Sequence, residues 1–196
     1  MKYTQIPSDT FTHLQLNAGI LADEFTPSTG TVGNILGATT GGITFASNPT
    51  FEDWGADIDN CPNNTKQLKR ITGYDPAMSG TFLTIDEDGI VKMVGAATKT
   101  GTDVIKVVPS QTLTDSDFND LWWIGDYSDI NSGNNAGFLA IHLIDALNTG
   151  SFQMKSTKNA KGNMAFEFHG HYDLENPELV PFEIYMMEGD DESSSS

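Results

Sequence analysis

The chain has 196 residues, long enough for one domain with a sizeable core and short for two. Its 27 Asp and Glu against 10 Lys and Arg give a formal charge of −17, with Arg70 the single arginine, which excludes the ordinary phosphate-gripping mode of nucleic-acid binding. A hydrophobic fraction of 38% excludes a disordered chain, Cys61 alone cannot form an internal disulfide, and no apolar run approaches the roughly 18 residues of a membrane span. A soluble, unprocessed protein made inside a cell is expected.

Residues 1–10 read as a polar N-terminal arm, closed by Pro7, Ser8 and Asp9. Leu14 to Phe25 follows as a strand, bounded by Pro27 and Gly30. Between Gly30 and Gly42 five glycines alternate with threonines and the apolar pair Ile35 and Leu36, the pattern of a long extended loop or hairpin that projects from the body. Ile43 and Phe45 alternate with Thr44 and Ala46 and predict a returning strand before Pro49, after which Phe51 to Asn64 reads as a polar loop. Thr81 to Ile85 predicts a strand covered on both faces. Asp86 then caps a short helix that carries Glu87 and Asp88 in its first turn and ends near Gly95.

The second half predicts strands at Val104 to Val108, Leu121 to Ile124, Phe138 to Ile144, Ser151 to Lys155, Asn163 to Tyr172 and Pro181 to Met186. So many short strands in one domain, 1–187, imply a mainly β sandwich or barrel with one short α-helix. Residues 188–196, acidic and then pure serine, have nothing to bury and read as a disordered tail.

Each constellation that suggests chemistry has a plainer reading. His169 and His171 project from one strand face and could ligate a metal with His142 or Glu167, or simply face solvent. Asp115, Asp117 and Asn119, with Asp126 at the twelfth position, begin a calcium-loop pattern, but Asp120 stands where the turn needs glycine and the twelfth residue is not Glu. Asp57 with Asp59, or Asp126 with Asp129, could pair for acid–base work, as could many of 27 acids by chance. Cys61 has no activating neighbour in sequence, and neither a nucleophile elbow nor a phosphate-binding loop is present. Trp122 and Trp123 are adjacent, so in a strand they face opposite sides. One is expected in the core, and the other at an interface, on the rim or stacked on a sugar.

Several strings together carry a resemblance. They are Phe11 to Leu21 (FTHLQLNAGIL), Gly37 to Phe45 (GATTGGITF), Thr50 to Pro62 (TFEDWGADIDNCP), Met78 to Thr84 (MSGTFLT), Asp117 to Asp129 (DFNDLWWIGDYSD), Gly137 to His142 (GFLAIH) and Phe166 to Asp173 (FEFHGHYD). In their order along nearly the whole chain, the sequence resembles the major tail proteins, or tail tube subunits, of long-tailed non-contractile bacteriophages. The resemblance implies a β-sandwich with one helix, no catalytic or metal residues, no cofactor, and a virion protein made in the bacterial host cytoplasm. It further implies partners: copies of itself in stacked six-fold rings, the tape measure, tail terminator and distal tail proteins, and DNA that passes through without specific binding. On that basis Ile35, Leu36, Thr39, Thr40, Trp122 and Trp123 are the expected oligomer contacts, with the Gly30 to Gly42 segment and the N-terminal arm reaching a neighbour. A monomeric calcium- or carbohydrate-binding β-sandwich using Trp122 or Trp123 and the Asp115 to Asp126 loop is the alternative.

Overall fold

The computed structural model describes residues 6–127 and 136–189. Residues 1–5 of the N-terminal arm, Asp129 and the tail beyond Gly189 therefore lie outside the described residues. A 3-10 turn at Thr10–His13 leads into β1 (Gln15–Ala22), the small hairpin β2 (Phe25–Thr26) and β3 (Thr31–Val32), then β4 (Thr44–Ala46). A longer hairpin follows, β5 (Pro49–Asp53) with β6 (Lys69–Tyr74), then β7 (Ala77–Phe82) and the helix α1 (Glu87–Val94). The chain continues through β8 (Ala97–Thr100), β9 (Lys106–Pro109), β10 (Asn119–Tyr127), β11 (Phe138–Asn148), β12 (Gln153–Lys155), β13 (Asn163–His169) and β14 (Phe182–Met187).

Eight of these strands form one antiparallel sheet that curls over at β11 into two packed layers. The first layer has the order β1, β10, β11, β14; the second has β12, β13, β7, β4. Strand β11 belongs to both. Its residues 138–143 pair with β14, whereas Leu147 and Asn148 pair with His169 and Phe168 of β13. The turn between layers occurs where Asn119 opposes Ala146 but Leu121 opposes Leu143, so β11 carries an extra residue there, and Asp145 takes φ +48°. A bulge of this kind bends and twists a strand, which is what lets one long strand serve two layers. The fold is mainly β, a curled antiparallel sandwich with one helix, as expected.

The core lies between the layers, where Leu21, Trp123 and Leu143 of the first meet Met78, Phe82 and Phe168 of the second. Burying each such side chain contributes roughly 1.5–3 kcal/mol against the entropy of ordering the chain. The helix closes one end with Met93, which is 1% exposed. Its start follows from the sequence: Asp86 accepts a hydrogen bond from the Gly89 amide at 2.7 Å, and Glu87 and Asp88 complement the positive end of the dipole. Its stop is Gly95, at φ +91°.

The structure corrects several boundaries. The 30–42 segment does not project in the isolated chain. Ile35 bridges Ala22, Leu36 donates to the Leu21 carbonyl and packs on the core, and Thr39 bridges Phe82. Its glycines let the backbone lie close to the sheet edges: a side chain on Gly37 would meet the Thr84 carbonyl oxygen at 2.3 Å. Second, Phe51 to Asn64 is not simply a loop, because Phe51 to Asp53 completes β5 and pairs with β6. Third, β9 begins at Lys106 and leaves Val104 81% exposed. Fourth, β13 ends at His169, so His171 and Tyr172 leave the strand. Fifth, the strand expected at Thr81 to Ile85 is the end of β7, Ala77–Phe82, and Leu83 to Ile85 fall outside it as the chain turns toward the helix cap at Asp86.

Candidate assembly surface

The first layer is free of cationic side chains. None of β1, β10, β11 or β14 contains Lys or Arg, and neither does any residue from Tyr3 to Thr65, which includes the β2–β3 hairpin lying over this layer. Its charged residues are Asp120, Asp126, Asp145 and Glu183. Among the described residues β14 pairs with β11 on one side and with no strand on the other. At the opposite margin, β1 pairs with β10 and is touched on its far side only near Leu21 and Ala22. The layer thus has two open margins. Strand β14 is largely apolar, with Glu183 its one charged residue and no Pro or Lys to blunt it, the kind of edge that invites another strand. Strand β1 is bulged between Leu16 and Ile20, where Asn17 and Gly19 take φ +63° and +69°, and a bulge adds curvature.

The outward face of this layer is built in cross-strand rows. Trp122, His142 and Glu183 form one row, directly opposite one another on β10, β11 and β14; Ile124, Ala140 and Tyr185 form the next. The His142 ring lies flat on Trp122, with centroids 3.9 Å apart and planes 6° apart. Its Nε2 stands 3.1 Å from Asp120 Oδ2 and its Nδ1 3.6 Å from Glu183 Oε2, neither aligned as a hydrogen bond. The imidazole beside it holds the Asp120 carboxyl below the usual carboxylate range. At the nearby bulge, burial and then the charges of Asp120 and Asp173 push the Asp145 carboxyl up. The Tyr185 hydroxyl donates to Glu183, which raises the phenol.

The expected contact residues separate into three kinds. Ile35 and Thr40 are exposed, while Leu36 and Thr39 are half-buried. Trp122 and Trp123 do face opposite sides, but both are buried, at 7% and 9% exposure. Trp123 lies in the core and donates from Nε1 to the Ala18 carbonyl at 3.0 Å. Trp122 is covered by Phe25 from the β2–β3 hairpin and by His142 and Tyr185. Neither indole is available as a rim residue or a sugar platform in the single chain. That correction comes from two two-residue strands, too short to be recognised in sequence as a cover.

The candidate metal and acid–base residues are dispersed. His169 lies against Asp75 at 2.6 Å and Glu167 at 3.5 Å on the second layer, His171 lies 3.0 Å from the Asp145 carbonyl oxygen, and His142 sits on the first layer. Asp115 and Asp117 lie in a 3-10 turn where Asp117 Oδ2 accepts from the Thr114 amide. Asp126, the supposed twelfth ligand, is at the far end of β10 and accepts from Asn17. Seven residue steps along the strand, about 23 Å of chain, separate it from Asn119. No group of three or more candidate ligands occurs among the described residues. Asp57 and Asp59 fall in the turn after β5, and the Cys61 thiol lies 3.5 Å from the Thr65 hydroxyl.

A feature that the sequence did not flag is the β5–β6 hairpin, which among the described residues pairs with no other strand and exposes Phe51, Trp54, Ile58 and Ile71. The alternation of Arg70, Thr72 and Tyr74 against Ile71 and Gly73 is its faint signal. No family model matches this chain, and no curated protein matches it.

Proposed function

We propose that the chain is a structural subunit that assembles with copies of itself into six-fold rings stacked as a tube, the tail tube of a long-tailed non-contractile bacteriophage, and that DNA crosses its bore. The observation that carries this reading is the cation-free, four-stranded layer with two open margins. In the order β1, β10, β11, β14 every neighbour is antiparallel, so the outer strands run in opposite directions. Strand β14 of one copy beside β1 of the next therefore keeps the antiparallel pattern, and the ring closes without an exposed edge.

Six copies supply about 24 strands, which at roughly 4.8 Å spacing and 40° tilt give a circumference near 150 Å and a backbone diameter of about 48 Å. Allowing about 5 Å of side chain at each wall leaves a bore of at most about 38 Å, narrowed where the β2–β3 hairpin lies over the strands, against a duplex of roughly 20 Å. Asp120, Asp126 and Glu183 on the outward face repel phosphates, and a wall without Lys or Arg offers no counterion release to drive binding. DNA then slides without contacts it must break. The other tail components named by the resemblance would cap and fill the tube.

Negative-stain microscopy and sedimentation of the concentrated protein test this. Rings or tubes with an outer wall around such a bore are expected. A monomer at millimolar concentration, or assemblies whose bore is lined by Lys and Arg, would overturn the reading.

A further inference from the structure

The β5–β6 hairpin stands off the sandwich. At its base Asn48 and Asp75 exchange hydrogen bonds, the Tyr74 amide donates to the Tyr172 hydroxyl, and the Tyr74 ring meets Phe182. Beyond that the strands pair only with each other. A lone two-stranded hairpin is marginal in water, so this one needs its own lock. Asp53 provides it, accepting from the Gly55 amide at 3.0 Å and the Asn64 amide at 2.7 Å, while Leu68 and Cys61 pack over Gly55. Those amides hold the Asp53 carboxyl below its ordinary range.

On this fixed scaffold the apolar side chains face water. Phe51 and Ile71 are directly opposite across the strands, each about half exposed, and Trp54 is 59% exposed. Lys69 lies over the Phe51 ring at 5.6 Å and the Arg70 guanidinium over Trp54 at 5.4 Å. Three of the chain's ten cationic side chains, Lys66, Lys69 and Arg70, fall within five residues. Two of the hairpin's carboxylates are engaged, Asp53 in the turn and Glu52 with the Trp54 indole, while Asp57 and Asp59 are exposed in the turn after β5. A pre-ordered patch of this kind loses little entropy on docking.

The same chain carries the complement. From Tyr172 to Leu179 there are Asp173, Glu175 and Glu178 and no Lys or Arg. Leu174 and Leu179 are exposed in the same stretch. We infer that the β5–β6 hairpin of one copy docks on the acidic, aliphatic 172–179 surface of a second copy, aromatic rings against the leucines and the Lys–Arg cluster against the carboxylates. The contact joins two different patches, so it propagates from copy to copy until it closes or extends. This rests on the self-assembly proposed above and names the surfaces that meet.

The test uses the full chain, sedimentation velocity up to millimolar concentration and microscopy, with circular dichroism and thermal unfolding confirming that each variant folds. The pair Lys69→Glu/Arg70→Glu, and separately Glu175→Lys/Glu178→Lys, should each weaken self-association at least about tenfold, and all four changes in one chain should restore most of it. Trp54→Ser should weaken it without altering any charge. Reversed variants that associate like the unmodified chain, or four changes that restore nothing, would overturn the docking while leaving the tube reading intact. An unmodified chain that never associates would overturn both. Binding of a single-stranded oligonucleotide that is lost in Lys69→Glu/Arg70→Glu while assembly is unchanged would assign the hairpin to nucleic acid and overturn the inference.

Discussion

Replacing Asn148 by Ala should cost more stability than its small size suggests. Asn148 is a buried polar side chain, 5% exposed, at the end of β11 where the two layers meet. Its Nδ2 donates to the Met93 carbonyl, one of the last carbonyls of α1, which have no partner within the helix. Its Oδ1 accepts from the Glu167 amide at 3.0 Å. One side chain therefore ties the helix, β11 and β13 together. Truncation leaves a carbonyl and an amide inside the protein without partners, each costing about 1–3 kcal/mol, so a loss of roughly 2–5 kcal/mol is expected. For a chain of this length that is about 5–15 °C in Tm.

Urea unfolding should show a lower midpoint at unchanged slope, because the surface exposed on unfolding is the same. Asn148→Asp separates the two bonds. It keeps an acceptor for Glu167 but turns a carboxylate toward the Met93 carbonyl, an environment that favours the protonated form. Its folded pKa should therefore lie above its unfolded one, so its deficit relative to the unmodified chain narrows as the pH falls through the folded value. An Asn148→Ala protein within about 0.5 kcal/mol of the parent would show that these groups are hydrated, and would refute the argument.

Two further perturbations probe the first layer. Gly19→Ala should destabilise by roughly 2–4 kcal/mol, measured by urea unfolding. The residue sits at φ +69°, and an added Cβ would lie 2.4 Å from the Trp123 indole nitrogen and 2.6 Å from the Ile124 carbonyl oxygen. In His142→Phe the stack on Trp122 is kept and the ring nitrogens are lost, so the Asp120 carboxyl should titrate closer to its ordinary value, followed by carboxyl NMR. A depressed carboxyl contributes stability above its unfolded pKa and loses it as the pH falls through the folded value; the stability gap between the two proteins should therefore shrink below about pH 4. An Asp120 titration unmoved by the substitution would sink that account.

Legibility in the sequence followed burial. The helix was readable from end to end because both its signals are local: a carboxylate that reaches an amide three residues on, and a glycine that can adopt positive φ. Strands β10 and β11 were readable because they bury one face or both, leaving dense aromatic and branched runs, and β14, though only half-buried, carries a similar run. The β5–β6 hairpin has little to bury, so Phe51 to Asn64 looked like polar loop and β6 left only a faint strand signal. The 30–42 segment misled for the opposite reason. Its glycines signal backbone freedom, and here that freedom lets the chain lie flat along two sheet edges, held by partners such as Thr84, whose hydroxyl accepts from Ala38 forty-six residues away. The clamp at Asn148 had no local mark at all, since an asparagine acquires that role only from what the fold places on either side of it.

The placement of charge links these local features to assembly. A ring of six copies would hold 6 × −17 = −102 formal charges, which taken as a sum argues against any association. At physiological salt, however, exposed charges interact over only about 8 Å, so what matters is which groups meet at each contact. Among the described residues the cations are gathered away from the β1, β10, β11, β14 layer: on α1, on β8 and β9, around β12, and on the β5–β6 hairpin. Separation of that sort allows one face to stay uniformly acidic while another offers attraction. A chain with the same total charge but its lysines scattered over β10 and β11 would keep the −17 and lose both properties, placing sticky sites on the layer proposed for the bore and removing the cluster proposed for docking. The arrangement of charge, rather than its amount, is therefore what would reconcile a strongly acidic subunit with the proposed self-assembly and with a proposed wall that does not hold DNA.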